Sequence, residues 1–293
     1  MIQEFCNWLT YEKRYSVHTV SSYLSDLNQF ESYLEQNYPS IKLIETETPM
    51  IKSWMVLLMD KQFSPTTINR KLVALNSFFK YLVSEEKLEK NPASNLKGPK
   101  KSKRLVKYLE EEEILDVLNR FEFEENYEGI RDKLIIEMLY GTGIRLAELI
   151  SLKSNDVDLL SGSVKVLGKR NKERIIPINS SLKQQIEKFI SLRKDMTESG
   201  SKEELLLTSK GEPLYPMLVY RVVKKYLDQF AARTKVSPHV LRHSFATHLL
   251  NRGADINAIK ELLGHSNLAA TQVYTHNTIE TLKKVFKQTH PRG

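Results

Sequence analysis

A mainly α fold in two parts, with one small antiparallel β-hairpin in the second part, is the architecture this sequence predicts, on three observations. Apolar residues recur at spacings of three, four and seven through most of the chain. Serine or threonine stands before proline where several of these patterns begin, the pair that opens a helix. One interval, Asn91 to Lys107, breaks the periodicity with Pro92, Gly98 and Pro99. At 293 residues and 41% apolar content, the chain is long enough to bury a core in each part.

From Ser16, an N-cap by type, Val20, Leu24, Leu27 and Leu34 lay out one long amphipathic helix. Thr48-Pro49 and Ser64-Pro65 each place a capping residue before a proline and predict two further helices. The later one carries Ile68, Leu72, Leu75, Phe79 and Leu82 and ends before Asn91-Pro92. Residues 1–90 are therefore expected to form a helical bundle, 91–107 a linker, and 108–293 a second domain.

The second domain opens with helices near 109–120 and 128–140, the latter ending at Gly141-Thr142-Gly143, where glycine suits a left-handed cap. The acidic run Glu110 to Glu113 fits an exposed first helical turn, where the helix dipole favours negative charge. A short helix with Leu146, Leu149 and Ile150 follows Arg145. Val164 and Val166, then Ile176 and Ile178, alternate on either side of Gly168-Lys169-Arg170-Asn171-Lys172-Glu173, which reads as a hairpin with Lys169 on a basic tip. Helices are further expected after Asn179, around 216–230, after Ser237-Pro238, at 255–263 and at 279–287.

The single cysteine, Cys6, excludes an intramolecular disulfide and fits a reducing compartment. The start of the chain lacks a basic segment followed by an apolar one, and no stretch approaches the roughly 20 apolar residues of a bilayer span. A cytoplasmic location with no membrane partner is expected. Net charge is +8 and unevenly placed: residues 1–96 carry 10 basic and 11 acidic side chains, whereas Lys97, Lys100, Lys101, Lys103, Arg104 and Lys107 stand together with no acid among them. Such a run attracts phosphates through counterion release, and it equally describes a solvated linker; both readings stay open at this point.

The chemistry-bearing residues lie in the second domain. His239 and Arg242, three apart, share a face near the positive end of the helix opened by Ser237-Pro238. His265 follows Gly264, a helix C-cap by type, and Tyr274 comes nine residues later. Arg145 begins an apolar-patterned helix, where a guanidinium needs an anion or a partner; Glu148, three residues on, offers the plainer answer. Two arginines, two histidines, a lysine and a tyrosine are the inventory for metal-free attack on a phosphodiester. Forked guanidiniums hold the non-bridging oxygens, a phenol attacks, and a cation such as Lys169 protonates the leaving oxygen. His239, His243 and His248 lack a carboxylate or cysteine to complete a zinc site, and Gly168-Lys169 lacks the glycine and Ser/Thr of a phosphate-binding loop. No metal, nucleotide or other cofactor is expected.

Three ordered motifs, Gly141-Thr142-Gly143-Ile144-Arg145, His239-Val240-Leu241-Arg242-His243 through His248, and Leu263-Gly264-His265 through Tyr274-Thr275-His276, resemble the signatures of the tyrosine recombinase/phage integrase family, closest to its Xer subgroup. The resemblance spans nearly the whole chain. It implies an N-terminal SAM-like core-binding domain and a mostly α catalytic domain that together clamp double-stranded DNA. By motif it implies phosphate binding by Arg145 and Arg242, a hairpin lysine at Lys169, paired histidines at His239 and His265, and Tyr274 as nucleophile. It also implies a covalent 3′-phosphotyrosine, a Holliday junction, and a homo- or heterotetramer with a related recombinase, docked through a C-terminal helix in which Ile279, Leu282 and Phe286 share a face; packing on its own domain is the alternative for that helix. An accessory DNA translocase and a role in resolving chromosome or plasmid dimers belong to the same expectation. The alternatives are a mobile-element integrase, a type IB topoisomerase-like enzyme, and a DNA-binding protein that kept the fold without the reaction.

Overall fold

The structure is a computed structural model that describes residues 1–100, 108–168, 172–196, 202–229, 236–264, 286 and 288–291. The chain divides into two compact units, Met1–Leu105 and Val106–Gly293. No helix among the described residues is long and apolar enough to cross a membrane.

The first unit contains α1 (Ile2–Tyr11), α2 (Val17–Asn37), a 3-10 turn at Leu43–Glu45, α3 (Thr48–Asp60) and α4 (Pro65–Ser84). The caps read from the sequence are present at Ser16 and Ser64, whose hydroxyls accept the backbone N–H of Thr19 at 3.3 Å and of Thr67 at 3.2 Å. At Thr48 the expectation is corrected. Glu47 occupies the N-cap position and Thr48 is already helical, its hydroxyl donating to the carbonyl of Pro92 at 2.7 Å. A distant carbonyl outcompetes the local N–H that a capping hydroxyl would accept. Phe5, Phe30, Trp54, Phe78 and Phe79 close the core, with the Phe30 and Trp54 rings 4.9 Å apart. Within it the buried carboxylate of Asp26 is held by Lys71 at 2.8 Å and by Arg70, as a buried charge must be.

The second unit is built on α5 (Glu111–Arg120), α6 (Tyr127–Thr142), α7 (Leu146–Ile150), β1 (Val157–Asp158), β2 (Ser163–Leu167), β3 (Glu173–Pro177), α8 (Ser180–Met196), α9 (Pro216–Leu227), α10 (Pro238–Asn251) and α11 (Ile256–Leu263). Helix α6 is its axis, with α5, α8, α9 and α10 packed against it. Leu134, Ile135, Ile136, Met138, Leu139 and Tyr140 are all buried, so α6 is enclosed on every side rather than along one stripe. It runs through Gly141 to Thr142, two residues past the expected 140, and stops at Gly143 with φ +60°, within the glycine-flanked cap that the sequence marks. A Cβ there would sit 2.5 Å from the Phe245 ring and 2.9 Å from Leu263, so glycine is required by both the dihedral and the close approach.

The three strands form an antiparallel sheet in the order β1-β2-β3. The expected hairpin is β2–β3, with Val164 opposite Ile176 and Val166 opposite Arg174; Ile178 lies beyond the end of β3, and β1 is an added edge that the sequence did not announce. Val164, Val166 and Ile176 face the core. By the two-residue period of a strand Arg174 shares their side, and it is buried. Phe286 is buried in the core of its own unit, stacked on His290 with ring centres 4.5 Å apart, the plainer of the two readings for that residue. The remainder of the expected helix, 279–285 and 287, lies outside the described residues.

Candidate active site

The last carbonyls of a helix have no partner within it and carry partial negative charge. At the end of α11, where Gly264 takes φ +63° as the cap, three consecutive carbonyls each receive a guanidinium from a different element. Arg174 on β3 donates Nε–H to the Leu262 oxygen at 2.8 Å. Arg242 on α10 donates to the Leu263 oxygen at 2.5 Å, and also to the oxygen of Gly143. Arg145, the N-cap of α7, donates to the Gly264 oxygen at 2.9 Å.

One carboxylate serves this group. Glu148 accepts from Arg145 Nη1 at 2.7 Å and from the Arg145 backbone N–H at 2.8 Å. Arg174 grips the same carboxylate with both terminal nitrogens, at 3.0 and 2.7 Å. Glu148 is thus the partner of Arg145 that the i, i+3 spacing suggested, and it is shared. Three cations against one anion leave positive charge in excess, and the ionisation of the groups records it. Burial pushes the Glu148 carboxyl upward, but the hydrogen bonds and charges of Arg174 and Arg145 outweigh it and hold its pKa at about 2. Burial first, then repulsion from Arg145 and Arg174 against the pull of Glu148, drives Arg242 down to about 9. An entering anion would relieve that repulsion, and Arg145, with 26% of its side chain exposed, is the cation open to solvent.

Acid stability should report this ion cluster. Because the folded pKa of Glu148 lies below its ordinary 4.5, the unfolded chain takes up a proton first as the pH drops. The carboxylate therefore adds stability that is complete above about pH 4.5 and is lost as the pH falls through about 2, on the order of 3 kcal/mol. Thermal unfolding followed against pH should show a shallower acid limb in Glu148→Gln; a limb as steep as that of the unmodified protein would assign the acid sensitivity to other groups.

Of the residues singled out from sequence, Arg145 and Arg242 meet here. His239 is exposed at the start of α10, three residues before Arg242, on a helix capped by the Ser237 hydroxyl, which accepts Val240 N–H at 3.3 Å. Lys169, His265 and Tyr274 lie outside the described residues, as do Lys101, Lys103, Arg104 and Lys107; Lys97 and Lys100 are exposed in the first unit. The hairpin that carries Lys169 is closed at its base by Gly168 N–H donating to the Lys172 oxygen at 2.8 Å. His248 is buried with Nδ1 2.9 Å from the Tyr140 hydroxyl, a packing role. Among the described residues no three His, Cys, Asp or Glu side chains are grouped to hold a metal ion. Sequence reasoning passed over Arg174, which reads as one more charge in a basic turn. Its only signal is the two-residue period that sets it beside Ile176 on the inward face.

A mostly α domain that gathers arginines at one helix end is thus preceded by a helical N-terminal unit. Residues 107–281 match the phage integrase family and residues 2–86 the N-terminal SAM-like domain of phage integrases, and the chain belongs to this family. It is 35% identical to tyrosine recombinase XerC of Chlorobaculum parvum over 99% of this chain and 94% of that one. With tyrosine recombinase XerC of Staphylococcus saprophyticus it shares 38% identity, covering 99% of this chain and 97% of the relative. In fold it is similar to the XerH site-specific recombinase bound to palindromic difH substrate, with TM-score 0.74 and 23% identity over 97% of this chain and 82% of that one. A further similar fold is the Tn1549 transposon integrase in complex with circular intermediate DNA, TM-score 0.71 and 22% identity over 96% and 97% of the two chains. The chain is a tyrosine-type site-specific DNA recombinase.

Proposed function

We propose that this recombinase breaks double-stranded DNA at a recombination site with Tyr274 as nucleophile, the scissile phosphate being held by Arg145 and Arg242. The observation that carries the reading is the cation excess at the end of α11, where Arg145, Arg174 and Arg242 gather on consecutive carbonyls and the single carboxylate of Glu148 is bonded to Arg145 and Arg174 alone. The Tyr274 phenolic oxygen attacks phosphorus and the bond to the 5′ oxygen breaks. The strand is left as a 3′-phosphotyrosine, and Lys169 gives the departing oxygen its proton. Arg145 and Arg242 offset the charge that builds on the non-bridging oxygens, while His239 and His265 hydrogen-bond the phosphate or move protons. A 5′ hydroxyl from the second duplex then attacks the phosphotyrosine and releases Tyr274; one reciprocal pair of such transfers makes a Holliday junction and a second pair resolves it.

In this reading residues 1–90 grip DNA, 91–107 form a basic linker, and 108–293 carry the chemistry. The relatives at 35 and 38% identity are both tyrosine recombinases named XerC, which favours an Xer-like role in resolving chromosome or plasmid dimers in the cytoplasm over integration of a mobile element. The working unit is a tetramer on two sites, of this chain alone or with a related recombinase, served by an accessory DNA translocase.

Covalent capture tests the assignment. DNA recovered from the protein after denaturing lysis of its own cells should yield a defined site, and digestion of the adduct should leave a nucleotide on the peptide that contains Tyr274. A nucleotide on another residue, or no adduct, overturns the assignment. If Lys97, Lys100, Lys101, Lys103, Arg104 and Lys107 touch phosphates, replacing them by glutamine should lower the log-log salt slope of binding to the captured site, by about 0.9 per lost contact. An unaltered slope would leave those charges in solvent.

A further inference from the structure

Arg174 is the one arginine of the cluster to which the reaction above gives no part, and it is the most enclosed, with 4% of its side chain exposed. Burying a guanidinium on the core face of a strand costs free energy unless every donor is placed, and here Nε, Nη1 and Nη2 are all engaged. The three contacts reach two elements of the site, α7 and α11. Two run to Glu148, which holds both the side chain and the backbone N–H of Arg145. The third runs to Leu262, whose neighbours Leu263 and Gly264 supply the carbonyls that seat Arg242 and Arg145. Arg174 also flanks the base of the hairpin: a Cβ on Gly168 would lie 3.5 Å from its Nη1 and 3.7 Å from Glu148 Oε1.

We infer that Arg174 is a positioning residue for strand cleavage, a brace that fixes Arg145 through Glu148 and the end of α11 through Leu262. The inference rests on the assignment of Arg145 and Arg242 to the scissile phosphate. Lysine at 174 keeps the charge but cannot span the carboxylate and the Leu262 carbonyl together, because it presents a single point charge instead of a planar fork. Arg145 would then lose its fixed geometry while the core keeps its volume and charge.

The test is single-turnover cleavage by Arg174→Lys of two nicked duplexes of the captured site, one with the natural scissile phosphate and one with an uncharged methylphosphonate in its place. With the natural phosphate the rate should fall about 10- to 100-fold, the range for loss of a residue that orients a reacting group, while DNA affinity stays within about threefold. With the methylphosphonate, which asks less of a cation on the missing oxygen, the deficit should shrink. Equal deficits on both duplexes would mean a general loss of structure, and an unaltered rate on the natural phosphate would mean that Arg174 positions nothing; either result overturns the inference. Should Arg174→Lys not fold, Glu148→Asp, which keeps the charge and draws the carboxylate away from Arg174, decides by the same comparison. Arg145→Ala separates the two levels: full activity there sinks the phosphate assignment itself, whereas an inactive Arg145→Ala beside a fully active Arg174→Lys sinks only the brace.

Discussion

Tyr274→Phe should bind the recombination site as tightly as the unmodified protein and form no covalent adduct with it. The substitution removes one oxygen and leaves the ring, so the group lost is the one proposed above to attack phosphorus. No neighbouring hydroxyl inherits the role by proximity alone, because attack on phosphorus requires a near-attack geometry of roughly 3–3.5 Å in line with the leaving oxygen. The measurement is a denaturing gel of protein with nicked duplex, beside a binding isotherm on the intact duplex. An adduct that survives the substitution removes Tyr274 from the mechanism, whatever the affinity.

Arg242→Lys is the second large effect, and it should appear in rate and not in affinity. The Arg242 guanidinium spans two backbone carbonyls, those of Gly143 and Leu263, and so is aimed before any ligand arrives. Lysine offers three donors on a flexible stem and cannot reproduce a planar fork between fixed acceptors. Loss of one pre-aimed donor to transition-state charge typically lowers the chemical rate by about 10²–10³-fold, and that is the fall expected in single-turnover cleavage. Phosphate contacts elsewhere along the duplex maintain binding. Near-normal cleavage by Arg242→Lys would mean that the fork serves the fold alone.

The site was half legible in the sequence, and the division has physical causes. Ser16, Ser64 and Ser237 announce their helices because a cap is a local contract between a side chain and an N–H three residues away. Thr48 misleads because its hydroxyl bonds to Pro92, 44 residues distant, a competition no window of sequence contains. Arg145 and Arg242 stand out by motif, and Glu148 by its spacing from Arg145. Arg174 does not, since its burial arises only when β3, α7 and α11 close on one another. The strand β1, two residues long, is too short for alternation to register. Helix α6 has no polar face to mark its period, being enclosed on all sides, yet the glycine at its cap marks where it ends.

The eight residues of α11 carry a consequence for how such a domain tolerates insertion and deletion. Adding or removing one residue turns everything beyond it by about 100°. A single such change before Leu262 would swing three acceptors away from three cations at once, dispersing the arginine cluster in one stroke. The turn at Thr208–Gly211, with Ser209 and Lys210 exposed, supplies no residue of the cluster and can lengthen without shifting these oxygens. Length in this helix is therefore a condition of the arginine cluster, held to the residue by the spacing of its terminal oxygens.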